Sequence, residues 1–521
     1  MQKWLENAVF YNIYPQSFYD SNNDGIGDLN GITEKLDYIK DMGFNAIWLN
    51  PFYESSFRDA GYDVTDFYKV APRYGTSADF ENLCRKAHEM SIKVCIDLVA
   101  GHTSLDCEWF KKSCLPEKNE YSNRYIWTDS WGNNYKGNCV GGYAARNGMF
   151  MKNFFYCQPA LNYGFANIDE PSWQLPPEHE DCVATKEELK NIMRYWISLG
   201  ADGFRVDMAA SLIKNDYDGT GIRKFWNEMR AMFDTEFPEC VLISEWSNPT
   251  AAINAGFHID FLIHFNYKAY TSLFRSEPGC SDYDQFPGNS FFRKVGNGNI
   301  ENFLSDYLRE LFETKGKGYI SIPTGNHDLP RISLNRDTKE LEVAHAFVLM
   351  LPGIPFVYYG DEIGMKYFAD LPSKEGGFNR TGSRTPMQWS SEINAGFSRA
   401  EKEKLYLPVE EGGATVEAQL KDPDSLLNKM KALIALRNSS KALSANGEIE
   451  FINRKYNGYP LVFKRFFEDE EFIICINPTD RTDCFRYNFG SYTAILQNNN
   501  DIALDENIIK LPPTSYIILK K

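Results

Sequence analysis

Hydrophobic residues along the chain fall into two kinds of run. The first kind is short, β-branched and aromatic, and bounded by turn residues: VFYNIYPQSF from Val9, AIWLNP from Ala46, KVCIDLV from Lys93, GFRVDM from Gly203, VLISEW from Val241, FLIHFNY from Phe261, YISIPTGNHD from Tyr319 and IPFVYYGDEIG from Ile354. Such runs are too short for buried helices and suit parallel strands covered on both faces. The second kind is amphipathic. ITEKLDYIKDMG puts Ile32, Leu36 and Ile39 on one face and stops at Gly43. SADFENLCRKAHEMS opens on Ser77 as an N-cap, and TKEELKNIMRYWISLG opens on a capping box at Thr185 and closes on Gly200. Strands alternating with helices in this way predict an α/β fold, a closed (β/α)₈ TIM barrel.

Two segments depart from the alternation. Residues 103–180 are rich in Asn, Gly, Tyr, Trp and Cys without a clear period. They are too long for a βα loop and predict an inserted subdomain after strand 3. After residue 441 the chain reads IEFINRKY, PLVFKRF, EFIICINP, YTAILQ and YIILKK between turn signals. This predicts a C-terminal antiparallel β-sandwich over 442–521, leaving 1–102 and 181–441 for the barrel. EDEE at Glu468–Glu471 reads as a solvated hairpin turn.

The chain has 521 residues, with 55 Lys and Arg against 71 Asp and Glu, a formal charge of −16. That balance argues against nucleic acid or an anionic membrane as partner, since both need concentrated basic surface. The start has no apolar leader core, and the longest apolar run, from Ala346, is broken by Pro352 and Pro355. Eleven cysteines without a C-x-x-C pattern make a structural zinc site unexpected. The expectation is a cytoplasmic protein with reduced thiols, a monomer or weak homo-oligomer. Aromatic residues reach 15%, more than a core requires, which suits a cleft where sugar faces lie on rings.

Chemistry in a barrel of this kind gathers at the C-terminal ends of the strands. Strand 3 ends in Asp97 and, just beyond, His102; strand 4 in Arg205 and Asp207; strand 5 in Glu245; strand 7 in His327 and Asp328. So much charge at one mouth is costly unless it serves a reaction. Glycoside cleavage needs one carboxylate as nucleophile and one carboxylic acid as proton donor. Arg205, two residues before Asp207, points the same way along a strand and would keep Asp207 ionised. Glu245 would be the acid, raised by nearby negative charge. His102 and His327 would donate to substrate hydroxyls, and Asp328 would grip them.

DLVAGH, GFRVDMA, ISEW and GNHD, in this order, resemble the four signature regions of the α-amylase family of glycoside hydrolases, family 13, and QPALN at Gln158–Asn162 resembles a further one. The resemblance implies retaining chemistry with Asp207 as nucleophile, Glu245 as general acid/base and Asp328 as transition-state stabiliser. GNHDLPR (Gly325–Arg331) and GSRTPMQW (Gly382–Trp389) are similar to the oligo-1,6-glucosidase, α-glucosidase and trehalose synthase branch, which mostly acts on short α-glucosides. There RDAGYD (Arg58–Asp63) closes the glucose pocket, so Tyr62 is expected to stack on the terminal glucose and Asp59 to bind its 4- or 6-hydroxyl, with Arg331 among the substrate contacts. Met208 and Trp246 are expected on the leaving-group side, where they would set linkage; Met208 by itself favours neither α-1,4 nor α-1,6.

DSNNDGIGDLNG offers oxygens from Asp20, Asn22, Asp24, the Ile26 carbonyl and Asp28, with Gly25 at the sharp turn. That donor set suits one structural Ca²⁺, and the same loop binds calcium in the branch just named. Gly101 stands where the family has Asn, which removes the expectation of a second calcium site, and Ala160 replaces the Asp of QPDLN. The resulting expectation is an exo-acting α-glucosidase on short oligosaccharides. Its rivals are a trehalose-synthase-type isomerase or transglycosylase, an endo-acting amylase or cyclomaltodextrinase, and an inactive carbohydrate-binding relative.

Overall fold

The computed structural model describes residues 2–263, 268–277, 288–376, 379–453 and 457–521. Eight parallel strands form the central sheet: β1 (Phe10–Ile13), β2 (Ala46–Leu49), β3 (Lys93–Leu98), β4 (Gly203–Val206), β5 (Val241–Ser244), β6 (Ile259–Phe261), β7 (Tyr319–Ser321) and β8 (Phe356–Tyr358). They neighbour one another in chain order, and β8 pairs back on β1. The ring shuts between β7 and β8, where Ile354 N donates to Ile320 O at 3.1 Å and Thr324 N donates to Phe356 O at 3.0 Å. Strands β1, β2, β4 and β5 are buried at every position, which explains their unbroken apolar runs. The expected TIM barrel is present.

Local starts differ from the sequence expectation in instructive ways. The sixth strand, expected from Phe261, begins at Ile259, in register with β5. His258 and Asp260 interrupt the apolar pattern there, yet both are fully buried, with partners from β5 for the Asp260 carboxylate and for one ring nitrogen of His258. The His258 ring accepts from Leu242 N at 2.9 Å, and Asp260 accepts from Ser244 Oγ at 2.6 Å. The rest of that run, residues 264–267, lies outside the described residues. The Ile32 helix is two short helices, Leu29–Glu34 and Leu36–Asp41, parted at Lys35. Thr76, not Ser77, caps the next helix, in a capping box with Asp79. The helix read from Thr185 starts a turn and a half earlier, at Glu180. Thr185 sits inside it, donating its hydroxyl to Asp181 O.

The inserted segment holds a helix at Glu108–Ser113, a two-stranded ribbon of Cys139–Val140 and Phe150–Met151, and a small core of Ile126, Met151, Ala160 and Phe165. It is tied to the end of β3, where Leu161 N donates to Gly101 O at 3.0 Å. The C-terminal module is two antiparallel sheets. One has the order β9 (Glu448–Phe451), β10 (Leu461–Phe467), β11 (Glu470–Asn477), β16 (Ser515–Lys520), β13 (Thr493–Gln497). The other has the order β12 (Asp483–Arg486), β15 (Ile508–Leu511), β14 (Ala503–Asp505). A core including Val462, Cys475, Ile509 and Leu519 fills the space between them. The acidic run is a turn only at Glu468 and Asp469; Glu470 and Glu471 belong to β11. Among the described residues no helix is long and apolar enough to cross a membrane, and the ten described cysteines are free.

Candidate active site

Strand register decides which side chains meet. Asp97 on β3 lies opposite Arg205 on β4, and Val206 opposite Ser244 on β5. The pairing continues one residue past the strand ends, with Asp207 N donating to Leu98 O and Glu245 N donating to Val206 O, both at 3.0 Å. Asp97 and Arg205 therefore share one level of the barrel, and Asp207 and Glu245 stand two residues further on, at the mouth. Arg205, almost wholly buried, binds all three acids: Nη1 to Asp97 Oδ1 at 2.6 Å and Asp207 Oδ1 at 3.1 Å, and Nη2 to Glu245 Oε1 at 2.6 Å.

One guanidinium among three carboxylates leaves an excess of negative charge in a dry place. Burial pushes Asp207 up to about 6 against the pull of Arg205, with Asp97 and Asp328 adding to the rise. Burial pushes Glu245 further, to about 7, with Arg205 opposing and Asp207 and Asp328 adding. The sequence expectation credited nearby charge for a raised Glu245; desolvation is the larger cause. The ordering leaves Asp207 more acidic than Glu245, which separates a nucleophile from a proton donor.

Asp328 has the opposite environment. Burial alone would raise it, but His327, Arg380 and Arg384 hold its carboxyl well below the usual carboxylate range. Arg380 Nη1 stands 2.6 Å from Asp328 Oδ1, Arg384 Nη2 3.2 Å from the same atom, and His327 Nε2 3.1 Å from Oδ2. The other arm of Arg380 reaches Asp59 Oδ1 at 2.7 Å. Gln158 Nε2 donates to Asp59 Oδ2 at 2.7 Å. One arginine thus joins the loop after β2 to the loop after β7 across one side of the mouth; β7 ends at Ser321, so His327 and Asp328 lie beyond the strand and not at its end as the sequence predicts.

Tyr62 is stacked on the His327 ring, centroids 5.2 Å apart and planes 11° apart, and its hydroxyl donates to Asp97 Oδ2 at 3.1 Å. Asn50 Nδ2 donates to His327 Nδ1 at 2.9 Å, leaving Nε2 as the ring's proton-bearing atom beside Asp328. His102, by contrast, has both ring nitrogens engaged, by Asn153 Nδ2 and by the Tyr62 carbonyl, each at 3.1 Å. Met208 has φ 46°, and this left-handed turn aims its amide N–H at Glu245 Oε2, 3.0 Å away.

One expected substrate contact is placed differently. The Arg331 side chain is fully buried; its Nη1 donates to Tyr359 O at 2.7 Å and pairs with Asp361 at 3.1 Å. It braces the loop after β8, and Arg380 and Arg384 take the mouth position expected of it. The Trp246 ring meets Phe257 edge-on, centroids 6.3 Å apart, while its backbone N donates to Asp260 Oδ1. The sequence reading also passed over residues that the site uses. Asn50 lies in the AIWLNP run, Gln158 opens QPALN and Arg384 lies in GSRTPMQW, so each carried a signal. Asp260 brackets the turn after Glu245 by accepting from Trp246 N at 3.1 Å and Asn248 N at 2.9 Å; a lone acid in an apolar run was its only signal.

The Asp20–Asp28 loop lies away from this cluster. Asp20 Oδ1 accepts from Asn23 N at 2.7 Å, and Oδ2 from Gly25 N at 2.8 Å and Ser398 Oγ at 2.6 Å. Asn22 and Asp24 accept from Asp24 N and Ile26 N. Asp28 caps the helix at Leu29 by accepting from Gly31 N at 2.7 Å. Among the described residues no three His, Cys, Asp or Glu side chains gather as a metal cluster, so a cation here would need the Asn22 and Ile26 oxygens too. The donor chemistry, all oxygen with carboxylate charge, fits calcium.

The chain matches the model of the alpha-amylase catalytic domain over residues 12–446. It is 33% identical over 487 residues to the trehalose synthase/amylase TreS of Mycolicibacterium smegmatis, covering 85% of this chain and 77% of the relative. It is 32% identical over 525 residues to alpha-amylase 3 of Dictyoglomus thermophilum, covering 100% and 94%. The crystal structure of Bacillus licheniformis trehalose-6-phosphate hydrolase superposes with a TM-score of 0.81 at 26% identity over 99% of both chains. With these likenesses added to the mouth just described, the chain belongs to the alpha-amylase family of glycoside hydrolases.

Proposed function

We propose that the protein is a retaining exo-α-glucosidase that removes terminal glucose from short α-1,4- or α-1,6-linked oligosaccharides. The observation that carries this reading is the Asp59–Arg380–Asp328 bridge, which draws one side of the mouth together and favours a chain end over the middle of a polymer. An Asp207 oxygen attacks C1 of the terminal glucose. The C1–O bond breaks, its electron pair stays on the leaving oxygen, and that oxygen takes the Glu245 proton. Glu245, now a carboxylate, takes a proton from water as the water oxygen attacks C1 and releases Asp207. Arg205 keeps Asp207 ionised, Asp328 and His327 bind hydroxyls, and the Tyr62 ring carries the sugar face. Asp59 and Arg380 hold the far hydroxyls of the glucose, and Met208 and Trp246 belong to the leaving-group side.

A calcium ion in the Asp20–Asp28 loop would be structural, held by Asp20, Asn22, Asp24, the Ile26 carbonyl and Asp28, with no part in bond cleavage. The acidic charge suits a cytoplasmic enzyme of small sugars, a monomer or weak homo-oligomer, with neither nucleic acid nor membrane as partner. The second reading is an isomerase, favoured by the likeness to a trehalose synthase/amylase; it would use the same residues and keep water from the glucosyl intermediate. The test is product analysis with maltose, isomaltose, maltotriose, sucrose, trehalose and soluble starch, with Asp207→Ala as blank. Free glucose from the short sugars supports the glucosidase. A new disaccharide with little glucose replaces it by the isomerase, and rapid starch cleavage replaces it by the endo-amylase.

A further inference from the structure

Gly101 lies between the end of β3 and His102. A Cβ placed on it would stand 2.7 Å from Asn153 Nδ2. The space left by the missing side chain is the space the Asn153 carboxamide fills. Asn153 comes from the inserted segment, and a third element fixes it. Lys214, from the loop after Asp207, sends its Nζ to Ser211 O at 2.6 Å and to Asn153 Oδ1 at 3.3 Å.

The donor logic of this line is fully determined. An ammonium only donates, so the carboxamide atom facing Lys214 is its oxygen. Its nitrogen therefore faces His102 Nδ1, at 3.1 Å. An amide nitrogen only donates, so Nδ1 must carry a lone pair. The ring is neutral, since burial brings His102 down to about 4. Its single proton is then on Nε2, 3.1 Å from the Tyr62 carbonyl, which can only accept. Among the described residues Lys214 pairs with no carboxylate, so its contacts are this line and the Ser211 carbonyl.

We propose that Asn153, admitted by Gly101 and oriented by Lys214, is a positioning residue that fixes His102 as the Nε2–H tautomer, with that donor resting on the Tyr62 carbonyl beside the site and available to a sugar hydroxyl. The kinetic consequence rests on the α-glucosidase reading, because the donor matters only where a sugar hydroxyl can displace the Tyr62 carbonyl. The tautomer itself is readable without substrate.

The experiment uses the full chain carrying ¹⁵N-labelled histidine, with His102 signals assigned by their loss in His102→Gln. Long-range ¹H–¹⁵N correlation distinguishes the protonated from the bare ring nitrogen. The wild type is expected to show bare Nδ1 and protonated Nε2. Asn153→Asp keeps the shape but can only accept, so it should bring a proton onto Nδ1 while the Tyr62 carbonyl keeps the one on Nε2, giving a doubly protonated ring. Gly101→Ala leaves Asn153 in the chain but displaces its carboxamide, and should give a mixture of tautomers. Both should lower kcat/KM for maltose about tenfold, the effect of one lost hydrogen bond, with the thermal midpoint kept by the isosteric Asp. A proton on Nδ1 in the wild type, or an unchanged Nε2–H form in both variants, overturns the proposal. A wild type silent on every α-glucoside overturns the glucosidase reading instead, and the ¹⁵N shifts still decide this one.

Discussion

At the barrel mouth, five carboxylates (Asp59, Asp97, Asp207, Glu245 and Asp328) meet from points spread over half the chain, and each is bound to an arginine. In the Asp20–Asp28 loop three carboxylates lie close in sequence, and their acceptors are taken mainly by backbone amides of that loop. Sequence spacing alone would have ranked the second region as the denser acid site. The difference lies in what can be satisfied locally. A short loop offers N–H groups to its own acids, so they act as caps. Strand ends have few free amides, so their buried acids need cations from elsewhere, and their proton affinities are pushed apart.

The contrast can be broken first at Asp207. Asp207→Ala should lower kcat/KM for maltose by ~10⁴-fold, since it removes the nucleophile and not merely a contact; steady-state kinetics on the purified variant measures this. Glu245→Gln should cost ~10²–10⁴-fold on substrates with a poor leaving group. Its pH profile supplies the sharper test. Wild-type kcat/KM should be bell-shaped, falling as pH drops through about 6, where Asp207 gains a proton, and falling as pH rises through about 7, where Glu245 loses one. The basic limb should vanish in Glu245→Gln.

Arg380→Ala should come next, raising KM for maltose on the order of tenfold to a hundredfold, because Asp59 and Asp328 are left buried without their shared cation. A KM that rises less for starch than for maltose would localise the loss to the closed end of the pocket. The loop should give the smallest catalytic effect. Asp20→Ala should leave kcat unchanged and lower stability by about 1–3 kcal/mol through lost amide partners, read in a thermal melt. Adding calcium should raise the wild-type midpoint and not that of Asp20→Ala.

Much of the mouth was legible because strand ends deliver side chains by a rule of period two. Asp207 and Glu245 each directly follow a readable apolar strand, and the Arg205–Asp207 spacing foretells their contact, whereas Asp328 is carried by the loop after β7. What escaped notice lies outside such runs. Arg380 and Arg384 flank a single 3₁₀ turn, Thr381–Ser383, remote in sequence from the acids they bind. Charge alone did not reveal that they, and not Arg331, face the mouth. Strands β12, β14 and β15 alternate or are very short, and the long apolar strands around them masked their signal. The helix starts at Glu180, capped by His179, while the capping motif that the sequence offers at Thr185 falls inside it.

The central claim is that Asp207 and Glu245, held on one guanidinium, carry out two displacements at the same carbon. Proton NMR of the first glucose released from maltotriose tests it directly, read before the anomers equilibrate. The account predicts α-glucose first, with β-glucose growing only by mutarotation. β-Glucose appearing first would mean a single displacement by water and would contradict the assignment of Asp207 as nucleophile.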